Sequence, residues 1–333
     1  MKLHILPLAL ITLSTVQAQT QYVGAPVGVV HVTAPAASDV ILSVPLQRPA
    51  VYQGSIAAIK GNRITLTGIP GWKTNQFAPL RTPGITFAIQ LASGAKEGLI
   101  ARVASNTSNS LVVTPEAGTS LSGVLTGTTG DQLDLVPYWT PATLFGNTLL
   151  SGTRLLLYSS TSLGFDKAPA TTLQLNGKDW INLGTKASAS HLALGFGSAF
   201  VLRNAATSPQ LITLAGHVPM TAHYRLLKAL VAKRATDNRF GYISPVEESL
   251  AATALGVAAG DQLLVYDNTA TGYNKQPASI LTYNGSGWTT SATGQNVATT
   301  VTLKPGTGYI YRRAATAKPG TVVWSATPSY LGK

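Results

Sequence analysis

Cysteine is absent from this 333-residue chain. That excludes disulfide staples and thiolate chemistry, so stability must come from packing alone. A chain of this length can bury an adequate core without cross-links. Charge is scarce as well: 11% of residues are charged, and Asp plus Glu total only 12. Asp131, Asp261 and Asp267 are too scattered to form the Asp-dense loop that calcium needs. After the N-terminus no apolar stretch approaches the ~20 residues required to span a bilayer as a helix. A transmembrane anchor is not expected.

The first residues carry an address. Lys2 is followed by an apolar run from Leu3 to Leu13, then Val16-Gln17-Ala18. A positive n-region, a short h-region and small residues at a cleavage site form a secretory signal peptide. Residues 1–18 are expected to be removed, leaving Gln19 as the mature start. The destination is then the periplasm, the outer surface or the medium.

Gly, Thr, Ser and Ala are abundant, and 45% of the chain is hydrophobic. Alternating β-branched segments make it foldable rather than disordered. Val40–Val44, Ile64–Leu66, Ile85–Leu91, Leu99–Val103 and Leu111–Thr114 read as strands between turn residues. Residues 19–136 are expected to form one small antiparallel barrel or sandwich. The net charge of +12 would ordinarily raise nucleic acid as a partner. Here the charge is dilute and the chain exported, so nucleic acid is not expected. Anionic cell-surface polysaccharide, or self-association, fits better.

The remainder is organised by an internal repeat. Leu155-Leu156-Leu157-Tyr158 matches Leu263-Leu264-Val265-Tyr266, 108 positions on. Gly164-Phe165-Asp166-Lys167 falls on Gly272-Tyr273-Asn274-Lys275 at the same offset, Asn176-Gly177 on Asn284-Gly285, and Trp180 on Trp288. After one inserted residue, Phe200-Val201-Leu202-Arg203 matches Tyr309-Ile310-Tyr311-Arg312. The expected repeats are 137–219 and 245–328, each a short helix followed by four or five strands. Asn-Gly predicts a two-residue hairpin loop with Leu173 opposite Trp180. Ser244-Pro245-Val246-Glu247 reads as a capping box opening a helix that Gly256 ends. Between the repeats, 220–244 is a basic linker in which the spacing of Leu226, Leu227, Leu230 and Val231 suits an amphipathic helix.

Catalytic motifs do not assemble. His217 and His223, with Pro219 between them, lack a metal-ligating spacing. Ser93-Gly94-Ala95-Lys96 has the Ser-x-x-Lys pattern of acyl-enzymes, but in a turn and without companion motifs. Glu247 and Glu248 are adjacent and diverge on a helix, and Glu247 is assigned to the cap. Residues shared by the repeats are scaffold types, so no catalytic, cofactor or metal residue is assigned. Four shared residues are candidate ligand contacts: Trp180 and Trp288 as sugar-stacking platforms, Arg203 and Arg312 as sites for acidic groups. Their ordinary alternatives are a core position for each Trp, beside Leu173 and Leu281, and a solvated strand end for each Arg.

Gly71-Trp72-Lys73-Thr74-Asn75-Gln76-Phe77-Ala78, with Ser93-Gly94 and Ser105-Asn106-Thr107, resembles a small β module of phage-tail and secreted bacterial proteins. The order of Ser43-Val44-Pro45-Leu46, Trp139-Thr140-Pro141, Leu144-Phe145-Gly146 and the paired Asn-Gly-x-x-Trp and Pro-Gly-x-Gly-Tyr segments resembles an uncharacterised family of exported verrucomicrobial proteins. Gly195-Phe196-Gly197 departs from the Pro-Gly form in the first repeat. The resemblance implies no activity and no catalytic residues. The sequence thus points to a mainly β, non-enzymatic exported structural or interaction protein. A carbohydrate-binding module protein is the alternative, and a polysaccharide-active enzyme the third reading.

Overall fold

The computed structural model describes residues 25–79, 84–290 and 294–332. The expected signal peptide and the start at Gln19 lie outside the described residues. In chain order the strands are β1 (Val27–Ala34), β2 (Ser38–Ser43), β3 (Tyr52–Lys60), β4 (Arg63–Leu66), β5 (Phe87–Leu91), β6 (Ile100–Asn106), β7 (Ser110–Pro115), β8 (Gln132–Pro137), β9 (Arg154–Leu157), β10 (Thr171–Asn176), β11 (Asp179–Asn182), β12 (Ala199–Asn204), β13 (Gln210–His217), β14 (His223–Ala229), β15 (Thr236–Gly241), β16 (Glu248–Ser249), β17 (Gln262–Val265), β18 (Ser279–Tyr283), β19 (Trp288–Thr290), β20 (Thr302–Leu303), β21 (Gly308–Arg313) and β22 (Gly320–Ala326). One short helix, α1 (Pro141–Phe145), precedes β9. The protein is mainly β and its strand pairs are antiparallel.

Strands β3-β4-β7-β6-β5-β8 close into a barrel. Alternation supplies the lining: Ile56, Ile64, Ile89, Val103, Leu111 and Leu133 are fully buried inside it. Register shifts at Ile56/Ala58 and Val103/Ser105 provide the bends that closure needs. Closing the ring leaves no strand edge to protect.

Two five-stranded sheets flank the barrel. One runs β11-β10-β9-β12-β2, the other β19-β18-β17-β21-β15, and each is accompanied by a two-stranded layer, β1-β13 or β14-β22. Their cores are separate. Leu42, Leu155, Leu173, Leu202 and Leu214 meet in the first, and Leu227, Leu263, Leu281, Tyr311 and Trp324 in the second. Hydrogen bonds recur at a fixed offset: Ala189 N donates to Trp180 O as Val297 N does to Trp288 O, and Leu175 N to Thr153 O as Tyr283 N does to Asp261 O.

Strand pairing redraws the expected domain limits. β1 and β2 pair with β13 and β12, so 27–43 belongs to the first sandwich and not to the N-terminal domain. The barrel, about 52–137, sits between β2 and α1. The basic segment 220–244 is no linker and holds no helix: it forms β14 and β15, paired with β22 and β21. The leucine spacing misleads because β14 is covered on both sides. Leu227 packs in the core, with Ala229 buried on the same face by alternation, while Leu226 and Lys228 are buried on the other side. A strand buried on two faces has no period-2 signature.

Two local readings also shift. No helix starts at Pro245. Ser244 Oγ accepts from Val246 N in a local turn, and Glu247 is exposed and accepts from the Thr302 hydroxyl. The equivalent side-chain contact falls five residues later, where it closes a turn. Thr140 Oγ1 accepts from Thr143 N in α1, and Ser249 Oγ from Ala252 N in the second sandwich, both at 3.2 Å. At the Asn-Gly hairpin the pairs are Asn176 with Asp179 and Leu175 with Trp180, so the loop is Gly177-Lys178. Gly177 takes φ +62°, the first central position of a turn that wants glycine there. Moving the loop along by one residue leaves Leu173, Leu175 and Trp180 on one face.

Candidate functional site

The four residues singled out from the sequence are all committed to the scaffold. Trp180 and Trp288 are each 1% exposed, so neither offers a face to a sugar. Trp180 packs against Phe145, and Trp288 against Tyr283 and Tyr311, while its indole N–H donates to Leu255 O. Leu173 and Leu281 share those cores, as the hairpin face requires.

Arg203 and Arg312 are not solvated strand ends. Arg203 grips Asp39 with two bonds, Nε–Oδ1 2.7 Å and Nη2–Oδ2 2.8 Å, and also donates to Asn274 Oδ1 at 2.7 Å. Arg312 grips Asp237 likewise, at 2.7 and 3.1 Å, and donates to Asp166 at 2.7 Å. Asn274 and Asp166 come from the other sandwich in each case. Tyr273 lies 4.7 Å under Arg203, and Phe165 4.6 Å under Arg312. The loop after β9 therefore clamps an ion pair of the second sandwich, and the loop after β17 clamps one of the first. Hydrogen bonding to Asp39 raises the Arg203 pKa. For Arg312 burial pulls downward, but Asp237 and Asp166 outweigh it and the net shift is upward.

Backbone groups complete the lock. Asp39 N donates to Gly272 O and Ser43 N to Gly306 O; reciprocally, Asp237 N donates to Gly164 O and Gly241 N to Gly197 O. The outer edges of β2 and β15 are thus capped by the opposite sandwich. At the crossing point a Cβ on Gly241 would lie 1.9 Å from Ser43 Cβ, so only glycine allows that approach. The shared Arg, Gly and Phe/Tyr positions serve to hold two sandwiches together.

Sequence reasoning missed the concave site. A cleft of about 480 Å³ opens where the barrel meets both sandwiches. β6 and β7 supply Arg102 and Glu116, the segments around β9 and β12 supply Tyr158, Lys167 and Phe196, and β14 and β15 supply Arg225, Lys228, Asp237 and Arg239. No family profile, characterised protein or solved structure matches this chain. The site therefore rests on its own geometry.

That geometry is lopsided in charge. Both carboxylates are taken, Glu116 by Lys228 Nζ at 2.6 Å and Asp237 by Arg312. Among the described residues Arg102, Arg225, Arg239 and Lys167 form no ion pair. Arg225 spends one N–H on Phe196 O at 2.9 Å, and Lys167 donates to Ser162 O. The Arg239 guanidinium lies 3.6 Å from the Tyr158 ring centre. Burial lowers the pKa of Arg225, of Arg239 and of Lys167, with Glu116, Tyr158 and Asp237 respectively opposing it. Burial also raises Tyr158, and Tyr138 to about 12, so both phenols are neutral donors.

The other titratable candidates stay apart. His223 is 2% exposed among Tyr242 and Trp324, and His217 is half-buried on β13. Among the described residues no group of three or more His, Cys, Asp or Glu could hold a metal. Ser93 Oγ accepts from Gln132 N while Lys96 Nζ reaches Ser120 O. Asp261 is fully buried against Arg313 and Tyr311, and Asp131 and Asp267 accept from Leu125 N and Thr269 N. No described helix is long and apolar enough to cross a membrane.

Proposed function

We propose that this chain is a non-enzymatic, exported interaction protein of the cell envelope or extracellular space, and that its working surface is the cleft between the barrel and the two sandwiches. The two sandwiches are read as a duplicated unit, with the barrel inserted into the first copy. One observation carries the reading: both cleft carboxylates are neutralised by protein cations, whereas four cleft cations are left open. A glycosidase needs the opposite, two free carboxyl groups about 5–10 Å apart facing one bond. Cations from three bodies, three on strands and Lys167 on the loop after β9, suit retention of a ligand. The carbohydrate-module reading built on Trp180 and Trp288 loses its contacts, because those rings are buried.

Cell fractionation with intact-mass analysis tests the address. The expected result is a chain beginning at Gln19 in an envelope or medium fraction. A cytoplasmic chain retaining Met1 overturns it.

A further inference from the structure

We propose that the cleft binds the carboxylate groups of an acidic sugar chain, with Arg239, Arg225 and Lys167 as the cationic contacts. The inference rests on reading the cleft as the working surface, and it names what that surface holds.

Arg239 makes the strongest case. It is half-buried, stacked on Tyr158, and makes no side-chain hydrogen bond among the described residues. A guanidinium carries five N–H donors, and removing a charge from water without a partner is unfavourable. Two residues away on β15, the chain supplies Asp237, yet that carboxylate is given to Arg312. The protein pairs Arg203 and Arg312 fully and leaves Arg239 open.

The fold itself does not require an arginine there. Asp39 and Asp237 hold equivalent places, each gripped by the arginine of the adjacent strand, so Ile41 is the counterpart of Arg239 on β2. Ile41 is 5% exposed and packs in a small apolar cluster with Leu156 and Val201, flanked by Tyr158 and Tyr266. The same strand position is thus satisfied by an apolar side chain in one sandwich and carries an unpaired cation in the other. The cation belongs to the cleft.

The carboxylate and the sugar both follow from chemistry. A guanidinium fork matches a planar carboxylate bidentately, and stacking on an aromatic ring pre-orients it. Arg225 has donors to spare after its bond to Phe196 O, and Lys167 adds a point charge on the side of Asp237. Between the cations the wall offers Tyr158 and Tyr138 with Ser159, Ser160 and Ser198. Phenol and serine hydroxyls suit the hydroxyls of pyranose rings, while one face of Tyr158 is taken by Arg239 and one of Tyr138 by Phe196. The volume lies within the ~300–1,000 Å³ of sites for compact ligands, enough for a few rings of a longer chain.

The test is calorimetric titration of the mature full-length protein with an oligogalacturonate, its methyl ester, a neutral maltooligosaccharide and a thymidine oligonucleotide. The uronate is expected to bind, with the ester and the neutral chain weaker by roughly tenfold or more, the size of a lost charge-assisted bond. Arg239→Ile, which installs the residue used in the other sandwich, should weaken uronate binding to a similar extent with an unchanged unfolding midpoint. Arg239→Lys should recover part of it. Equal binding of uronate and ester, wild-type affinity in Arg239→Ile, no uronate binding, or tighter binding of the oligonucleotide would each overturn the proposal. Mass spectrometry of the recovered uronate keeps the two readings apart. Shortened chains would overturn the non-enzymatic reading and leave the cation contacts standing, whereas intact but unbound uronate overturns the ligand alone.

Discussion

The two sandwiches share a strand order but not a neighbour. On β14-β22 the barrel covers the β14 side of the outer face: Tyr224 packs against the barrel core, Lys228 pairs with Glu116, and a Cβ on Gly118 would meet Thr321 at 2.4 Å, while Val323 on β22 stays 41% exposed. On β1-β13 the same face is open, with Val27, Val29 and Leu211 at 67%, 56% and 59% exposure. β14 and β15 carry Arg225, Lys228 and Arg239, while β1 has no Lys or Arg. The difference shows what the barrel adds. The interlock needs only the two sandwiches, and the cationic cleft exists only where the barrel meets both of them.

The first strand of each layer also has a histidine, in opposite settings. His31 on β1 is exposed and within 3.1 Å of Thr213 Oγ1. His223 on β14 is buried with neither ring nitrogen bonded, and burial, with Arg225 nearby, lowers its pKa to about 3. Its folded-state pKa lies below its unfolded value of about 6.5. The fold therefore has the full benefit of a neutral imidazole above that value and loses it as pH falls toward 3. At 1.36 kcal/mol per unit the loss reaches about 5 kcal/mol at the bottom of the window. Hydrogen exchange at falling pH should show β14 and β22 opening before β1 and β13. His223→Leu should abolish that order, and simultaneous opening in the wild type would contradict it.

Next in size are the core tryptophans. Trp180→Ala and Trp288→Ala should each cost ~3–5 kcal/mol, with the larger loss at Trp288, whose indole N–H is bonded to Leu255 O. Chemical denaturation measures both. A change under about 1 kcal/mol in either would contradict the burial. Slightly smaller is the difference between the interlock arginines. Arg312→Ala strands Asp237, whose side chain is 1% exposed, and Arg203→Ala strands Asp39, at 8%. Breaking a buried pair costs about 3–5 kcal/mol, so Arg312→Ala belongs in that range and Arg203→Ala near its lower end.

The strands of the barrel were legible because Ile64–Leu66, Leu99–Val103 and Leu111–Thr114 alternate between a core and solvent. β14 was not, because the barrel buries the side that solvent would have marked. The interlock was hidden for another reason. Arg203, Gly164 and Phe165 recur with their counterparts at fixed spacing, and spacing within a chain says nothing about which half a residue touches. Trp180 falls on the expected face although the loop does not, since moving a two-residue turn by one position shifts the pairing by two, which changes partners and preserves faces. The cleft gathers residues from positions 100 to 240, and only the topology brings them together.

The smallest effect expected is also the finest probe of the comparison between the sandwiches. Besides Tyr273 in place of Phe165 under the guanidinium, the two clamps differ in their polar cap: Asn274 caps Arg203 with an amide oxygen, and Asp166 caps Arg312 with a carboxylate. Both adopt left-handed backbone, at φ 51° and 49°, which Asn tolerates at least as well as Asp. Asp166→Asn should therefore keep the loop, the bond to Arg312 Nη2 and the N–H donated to Asp237 Oδ2. What it removes is an ion pair whose carboxylate is 68% exposed, and such pairs contribute ~0–1 kcal/mol. The signature is salt dependence more than magnitude. Raising ionic strength screens the exposed pair, so the wild type should approach the variant in denaturation midpoint as salt increases. A loss well above 1 kcal/mol that salt does not reduce would mean that the second clamp depends on charge in a way the first does not, and that the two interlocks are not equivalent.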